Sequence, residues 1–163
     1  MLKVKDVMSR PVISIGPETL VKDAAATLAE RNISGVPVLG TDGKVVGIFS
    51  EADILRSIKT QKKDIRLVYP SISSLGIAFQ EEVTQREILG AYEEIGNTAV
   101  NEIMSKAVVT VEPEMPLNDA IVRMVQKGIN RLPVVEKGVL VGIVTRGDVI
   151  RGLARDASAK KTQ

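Results

Sequence analysis

Short runs of β-branched residues alternate along this chain with stretches whose apolar positions recur every three or four residues, and the whole alternation occurs twice. Val12-Ile13-Ser14-Ile15 and Val108-Val109-Thr110-Val111 predict strands, closed by Pro17 and Pro113. Val21, Ala24, Ala25 and Leu28, and again Leu117, Ala120, Ile121 and Met124, have helical spacing. Val36-Pro37-Val38-Leu39 and Leu132-Pro133-Val134-Val135 predict a second strand, whose early proline suggests an edge or an irregular start. Asp42-Gly43 is a hairpin signal, and Glu136-Lys137-Gly138 does the same with one residue fewer. A third strand (Val45–Phe49, Val139–Val144) and a helix (Glu51–Ser57, Arg146–Ala154) follow. The order is βαββα, twice.

The two halves align directly. At an offset of 96, Val4, Met8, Ser9, Val12, Pro17, Glu18, Asp23, Ala24, Ile33, Pro37 and Val38 fall on identical residues. Removing one residue after Leu39 brings Gly47, Ile48, Asp53 and Arg56 onto Gly142, Ile143, Asp148 and Arg151. The chain is therefore a tandem duplication. The implied organisation is a first repeat over 1–58, an insert over 59–99 with a helix across 80–95, a second repeat over 100–155, and a frayed tail over 156–163. One unit of about 50 residues buries too little apolar surface to be stable alone. The expected solution is an α/β (α+β) pair, sheet against sheet about a pseudo-two-fold axis, with two equivalent clefts.

Composition narrows the function. Apolar residues make up 44% of the chain, enough for a core, but Phe49, Tyr69, Phe79 and Tyr92 are the only aromatics, so that core is aliphatic. Net charge is 22 − 20 = +2, too small for nucleic-acid binding through bulk electrostatics. The cationic stretch Lys59–Lys63 and the tail Lys160-Lys161 read as solvated. Cysteine and histidine are both absent, which removes thiol nucleophiles, thiolate zinc sites, His bases and His ligands together. No run approaches a membrane span, and the first residues lack the long apolar region of a secretory signal. The expectation is a cytoplasmic, soluble protein; carboxylates and lysines remain for catalysis, but neither a catalytic role nor a metal is expected.

The most informative segment is Gly47-Ile48-Phe49-Ser50-Glu51-Ala52-Asp53-Ile54, matched by Gly142-Ile143-Val144-Thr145-Arg146-Gly147-Asp148-Val149. In each, a strand ends on a hydroxyl residue, a helix begins, and Asp follows three positions later. One reading is structural: Ser/Thr-x-x-Asp is close to a capping box, with the carboxylate at the positive end of the helix dipole. The other uses the same geometry for a ligand, with phosphate at the helix N-terminus and a ribose diol on the carboxylate. Both can hold together.

The ordered set of Met-Ser, apolar strand, Pro, Asp-Ala helix, apolar-Pro-Val strand and Gly-Ile-x-Ser/Thr-x-x-Asp, in duplicate, resembles the tandem cystathionine-β-synthase (CBS) domain pair over about 4–58 and 100–153. That resemblance implies a stand-alone βαββα pair binding AMP, ADP, ATP or an S-adenosylmethionine-like compound. It also implies a homodimer and an effector protein on another chain. Carried over by position, one pocket takes Ser14, Ile33, Ser34, Gly35 and Pro37 with Thr145, Arg146 and Asp148. The other takes Thr110, Ile129, Asn130, Arg131 and Pro133 with Ser50, Glu51 and Asp53.

The two pockets differ in charge. Arg146 can pair with phosphate through two hydrogen bonds, whereas its counterpart Glu51 repels it. Arg131 and Arg146 can also be read as plain surface cations. In the insert, Leu67-Val68-Tyr69-Pro70 is an apolar run stopped by proline, and Ile88, Ala91, Tyr92 and Ile95 share a helical face. That helix either covers an exposed face of the module or serves as a lid or dimer surface. The competing function is a structural or interaction scaffold with degenerate pockets.

Overall fold

This computed structural model describes residues 1–61, 68–73, 76–81 and 84–161. Its elements in order are α1 (Val4–Val7), α2 (Val21–Arg31), β1 (Gly35–Leu39), β2 (Val45–Ser50), α3 (Glu51–Gln61), β3 (Val68–Ser73), β4 (Gly76–Glu81) and α4 (Gln85–Gly96). A 3₁₀ turn (Val100–Glu102), α5 (Leu117–Lys127), β5 (Arg131–Glu136), β6 (Val139–Thr145) and α6 (Arg146–Lys161) complete them. The strands pair as β1–β2, β3–β4 and β5–β6. The mixed α/β class and the duplicated α-β-β-α core agree with the sequence pattern.

The first strand of each repeat does not form as expected. Val12–Ser14 lies in no strand, and Val108–Val111 contributes a single parallel bridge, Val111 to Val134. Val111 N–H donates to the Pro133 carbonyl at 3.0 Å, and Val135 N–H donates to the Val111 carbonyl at 2.8 Å. The next rung toward Val109 would need an N–H at position 133, and proline has none. The ladder stops there. Beyond the bridge β5 bulges between Val134 and Val135.

The turns obey local rules in both copies. α2 and α5 end on residues in the left-handed conformation, Asn32 (φ 52°) and its aligned counterpart Gly128 (φ 62°). Lys137 and Gly138 both take positive φ, 49° and 82°, between paired Glu136 and Val139. That is the signature of a two-residue type I′ hairpin.

The chain divides into two compact units, Met1–Ser14 with Pro37–Gly47 and Lys106–Gln163, and Ile15–Val36 with Ile48–Ser105. The first unit takes the opening segment of the first repeat into the core built by the second. Val4 and Val7 are buried there with Val111, Leu117, Ala120, Met124, Leu132, Val134, Val144 and Val149. Leu117 N–H donates to the Leu2 carbonyl, Val4 N–H to Met115, Lys5 N–H to Pro113 and Ser9 N–H to Ile143. The second unit repeats this with the opening segment of the second repeat: Val21 N–H donates to Thr98, Val100 N–H to Thr19, Asn101 N–H to Pro17 and Ser105 N–H to Ile48. Every bond in one set has its partner in the other at the same aligned positions. The repeat as encoded is therefore not the unit as folded, because each unit's arm comes from the other repeat.

Close packing of the arm explains two glycines. A Cβ on Gly142 would run into the Met8 side chain, and one on Gly152 into Val7. Burying an aliphatic side chain such as Val4 stabilises by about 2 kcal/mol, so the arm is held by its core residues as well as its backbone.

In the insert, β3 and β4 pair antiparallel from Val68 opposite Glu81 to Ser73 opposite Gly76, and Pro70 lies within β3 instead of stopping it. Leu67, Lys62 and Lys63 lie outside the described residues. The insert helix begins at Gln85, five residues later than the apolar spacing suggested. The Thr84 hydroxyl accepts from the Glu87 amide, and the Glu87 carboxylate accepts from the Thr84 amide, a capping box that fixes the start. α4 packs on α2 and α3, with Ile95 buried and Ala91 and Tyr92 half-buried, while Ile88 stays 43% exposed. The packing is made by the C-terminal half of the helix. α6 continues to Lys161, so the expected frayed tail is helical over most of its length.

Candidate duplicated carboxylate site

Both Ser/Thr-x-x-Asp segments form a strand-to-helix turn whose carboxylate folds back onto the turn. In the first unit, Asp148 Oδ2 accepts from the Thr145 amide at 2.8 Å and from its hydroxyl at 2.8 Å. The Thr145 hydroxyl in turn accepts from the Asp148 amide at 3.2 Å. In the second unit, Asp53 Oδ2 accepts from the Ser50 amide at 2.8 Å and hydroxyl at 3.2 Å. These are helix caps, as the structural reading anticipated.

The other oxygen of each carboxylate is also engaged. Asp148 Oδ1 accepts from the Ser9 hydroxyl at 3.1 Å and from Arg151 at 2.5 Å. Asp53 Oδ1 accepts from the Ser105 hydroxyl at 3.4 Å and from Arg56. Each Asp is buried, at 4% and 2% exposure, while each arginine side chain remains about two-thirds exposed. Burial alone would raise the Asp148 pKa. The Thr145 amide and hydroxyl, the Ser9 hydroxyl and Arg151 outweigh it and hold the carboxyl below its ordinary value. Asp148 is thus an ionised, acceptor-only group at neutral pH.

Ser9, Ser105, Arg56 and Arg151 are partners that motif reasoning missed as site residues. Their signal was present: Met-Ser is identical in both repeats, and the arginines sit one helical turn beyond each Asp. What could not be seen is that the serine comes from the opposite repeat.

Backbone hydrogen bonds join two pairs of the other expected site residues. The Asn130 carbonyl accepts from the Arg146 amide at 3.2 Å, and the Ser34 carbonyl accepts from the Glu51 amide at 3.0 Å. Arg131 is 8% exposed and stands opposite Thr145 in the β5–β6 ladder, with buried Pro133 opposite Ile143. Ile129 and Ile33 are half-buried, Gly35 opens β1, and Pro37 is buried within it. Arg146 is exposed at the start of α6 and borders an apolar groove of about 290 Å³ with Val125 and Ile150.

Thr110 is placed differently. Its carbonyl accepts from Arg123 at 3.3 Å, and it lines a crevice of about 350 Å³ with Glu112, Lys137 and Arg123. No other expected binding residue lines that crevice. Ser14, its counterpart, is exposed.

Among the described residues no cluster of three or more acidic side chains is arranged to hold a metal ion. No helix among them is long and apolar enough to cross a membrane.

Comparison with known proteins agrees with this architecture. The family model described as CBS domain matches residues 4–60 and again 100–155. The uncharacterized protein MJ1426 of Methanocaldococcus jannaschii is 37% identical over 155 residues, covering 94% of this chain and 92% of its own length. Two solved structures are similar in fold. CBSX2 in complex with AMP gives a TM-score of 0.69 at 24% identity over 96% of this chain and 99% of its own. The CBS domain pair of protein MJ0100, in complex with 5′-methylthioadenosine and S-adenosyl-L-methionine, gives 0.68 at 24% identity over 95% and 98%. With both repeats matched by one family model and a relative that runs nearly end to end, this chain belongs to the CBS domain family as a tandem pair.

Proposed function

We propose that this chain is a regulatory module, not an enzyme, that binds an adenosine-type ligand (AMP, ADP, ATP or an S-adenosyl compound) and acts through a protein partner. The observation that carries the reading is the duplicated, buried carboxylate at a helix N-terminus. A carboxylate in that position accepts hydrogen bonds from a ribose diol, and helix N-termini favour the phosphate beside it. Solved neighbours crystallised with AMP, or with 5′-methylthioadenosine and S-adenosylmethionine, support the ligand class. Arg146, exposed at the first turn of α6, would take the phosphate beside Asp148. At the matching place beside Asp53, Glu51 would oppose phosphate.

A homodimer belongs to the same reading. Val125 at 74% and Ile150 at 66% exposure leave an apolar face on α5 and α6 of the kind that subunits cover.

One observation favours the scaffold alternative: every acceptor position of Asp53 and Asp148 is already occupied within the fold. Thermal unfolding against AMP and S-adenosylmethionine separates the two. Ligand at 100 times its dissociation constant adds about 2.7 kcal/mol to stability; a scaffold shows no shift with either compound. Arg146→Ala then assigns the phosphate, lowering affinity for AMP about tenfold and leaving adenosine unchanged. Equal losses for both would remove Arg146 from that role.

A further inference from the structure

The two carboxylates share a division of labour. In each, Oδ2 takes the amide and hydroxyl of its own cap, and Oδ1 takes one serine hydroxyl and one arginine. A carboxylate offers about four acceptor positions, so neither Asp has room for a further donor. The cap amide cannot leave without unwinding the first turn of the helix. A sugar hydroxyl must therefore enter at Oδ1. There the serine makes the longer bond in both units, 3.1 Å for Ser9 and 3.4 Å for Ser105.

Each serine is the last residue of an arm bridged by backbone hydrogen bonds to the strand before the cap, Ser9 to Ile143 and Ser105 to Ile48. The arms are the segments that each unit takes from the opposite repeat. We propose that Ser9 and Ser105 set the affinity of the two sites for a cis-diol: each hydroxyl holds the place a ribose hydroxyl takes, and ligand binds by displacing it. This rests on the reading of Asp53 and Asp148 as diol acceptors. It adds that occupancy loosens the Met-Ser arm, linking each site to the segment that enters its unit.

The experiment compares AMP with 2′,3′-dideoxy-AMP, by titration calorimetry, on the full chain and on Ser9→Ala and Ser105→Ala. Removing a competing hydrogen bond should tighten AMP by roughly two- to tenfold and leave the dideoxy compound unchanged. Hydrogen exchange on the unaltered protein gives a second readout that needs no variant. AMP should speed exchange at the Ser9 or Ser105 amide, which donate to Ile143 and Ile48. If the alanine variants bind AMP as before, or lose AMP and the dideoxy compound alike, the serines are not competitors and the proposal falls while the ligand reading stands. If neither AMP nor S-adenosylmethionine binds any form, both fall.

Discussion

The Asp148 site and the Asp53 site are two outcomes of one inherited frame. Cap, arm serine and arginine recur at aligned positions, and the hydrogen bonds of the arms match one for one. The tightness and the charge do not. At Asp148 the Thr145 hydroxyl bond is 2.8 Å and the serine bond 3.1 Å; at Asp53 the Ser50 hydroxyl bond is 3.2 Å and the serine bond 3.4 Å. The residue that opens the following helix is Arg146 in one and Glu51 in the other, and a buried Arg131 faces one where Gly35 stands in the other. The frame is retained because the fold needs it. The next residue along differs in sign, and under the proposed function that sign sets which site takes phosphate.

Removing the carboxylates breaks the comparison most sharply. Asp148→Ala leaves buried donors without an acceptor and should cost roughly 3 kcal/mol, read as a lower urea midpoint. Asp53→Ala should cost less, because both hydroxyl bonds to its carboxylate are longer than those to Asp148. Equal costs would mean the two sites are not graded.

Truncating the arm comes next. Val4→Ala should lose about 2 kcal/mol, although Val4 lies in the first repeat and the core it fills is built by the second. Hydrogen exchange checks the location: faster exchange should concentrate in β5, β6 and α5. Loss of protection in α2 instead would contradict the exchange of arms.

Reversing the charge sharpens the comparison at about 1.4 kcal/mol, a tenfold change. Glu51→Arg should give the Asp53 site a phosphate preference like that expected at Asp148. Titration of AMP against adenosine would show a second site of higher affinity for AMP alone.

The smallest effects are acid-dependent. Asp148 titrates below its ordinary value in the folded chain. Its contribution is therefore complete above the unfolded pKa of about 4 and is lost as pH falls through the folded value. Glu114, held by Lys3 at 2.6 Å and Lys5 at 2.5 Å, is lowered to about 2, mainly by those hydrogen bonds. Its contribution declines over the same acid range, but Glu114 is exposed and salt should erase it. Urea midpoints between pH 5 and 2, with and without salt, would separate the buried group from the exposed one.

Local information in the chain was sufficient for most of the fold. β-Branched runs, helical spacing and Asp-Gly or Lys-Gly turns are short-range signals, and β1, β2, β5, β6, α2, α3 and α5 lie where those signals put them, within a few residues at either end, while α6 starts as expected but runs on to Lys161. The Ser/Thr-x-x-Asp caps were equally legible, since hydroxyl and carboxylate are three residues apart. The insert was less so: the helical face from Ile88 to Ile95 does not mark where α4 begins, and the Thr84–Glu87 box does.

Duplication, the two carboxylates and the difference between Arg146 and Glu51 are written in the linear order of residues, because each depends on neighbours within a turn or a strand. The partners of those carboxylates are not. Ser9 reaches Asp148 across a separation of 139 residues, and Ser105 reaches Asp53 across 52. Which copy an arm joins is settled by whose core has room for Val4 and Val7 beside Gly152, and whose strand offers its backbone to Ser9. Two repeats of the same pattern present similar pairing choices in sequence, so only packing in three dimensions could decide between them.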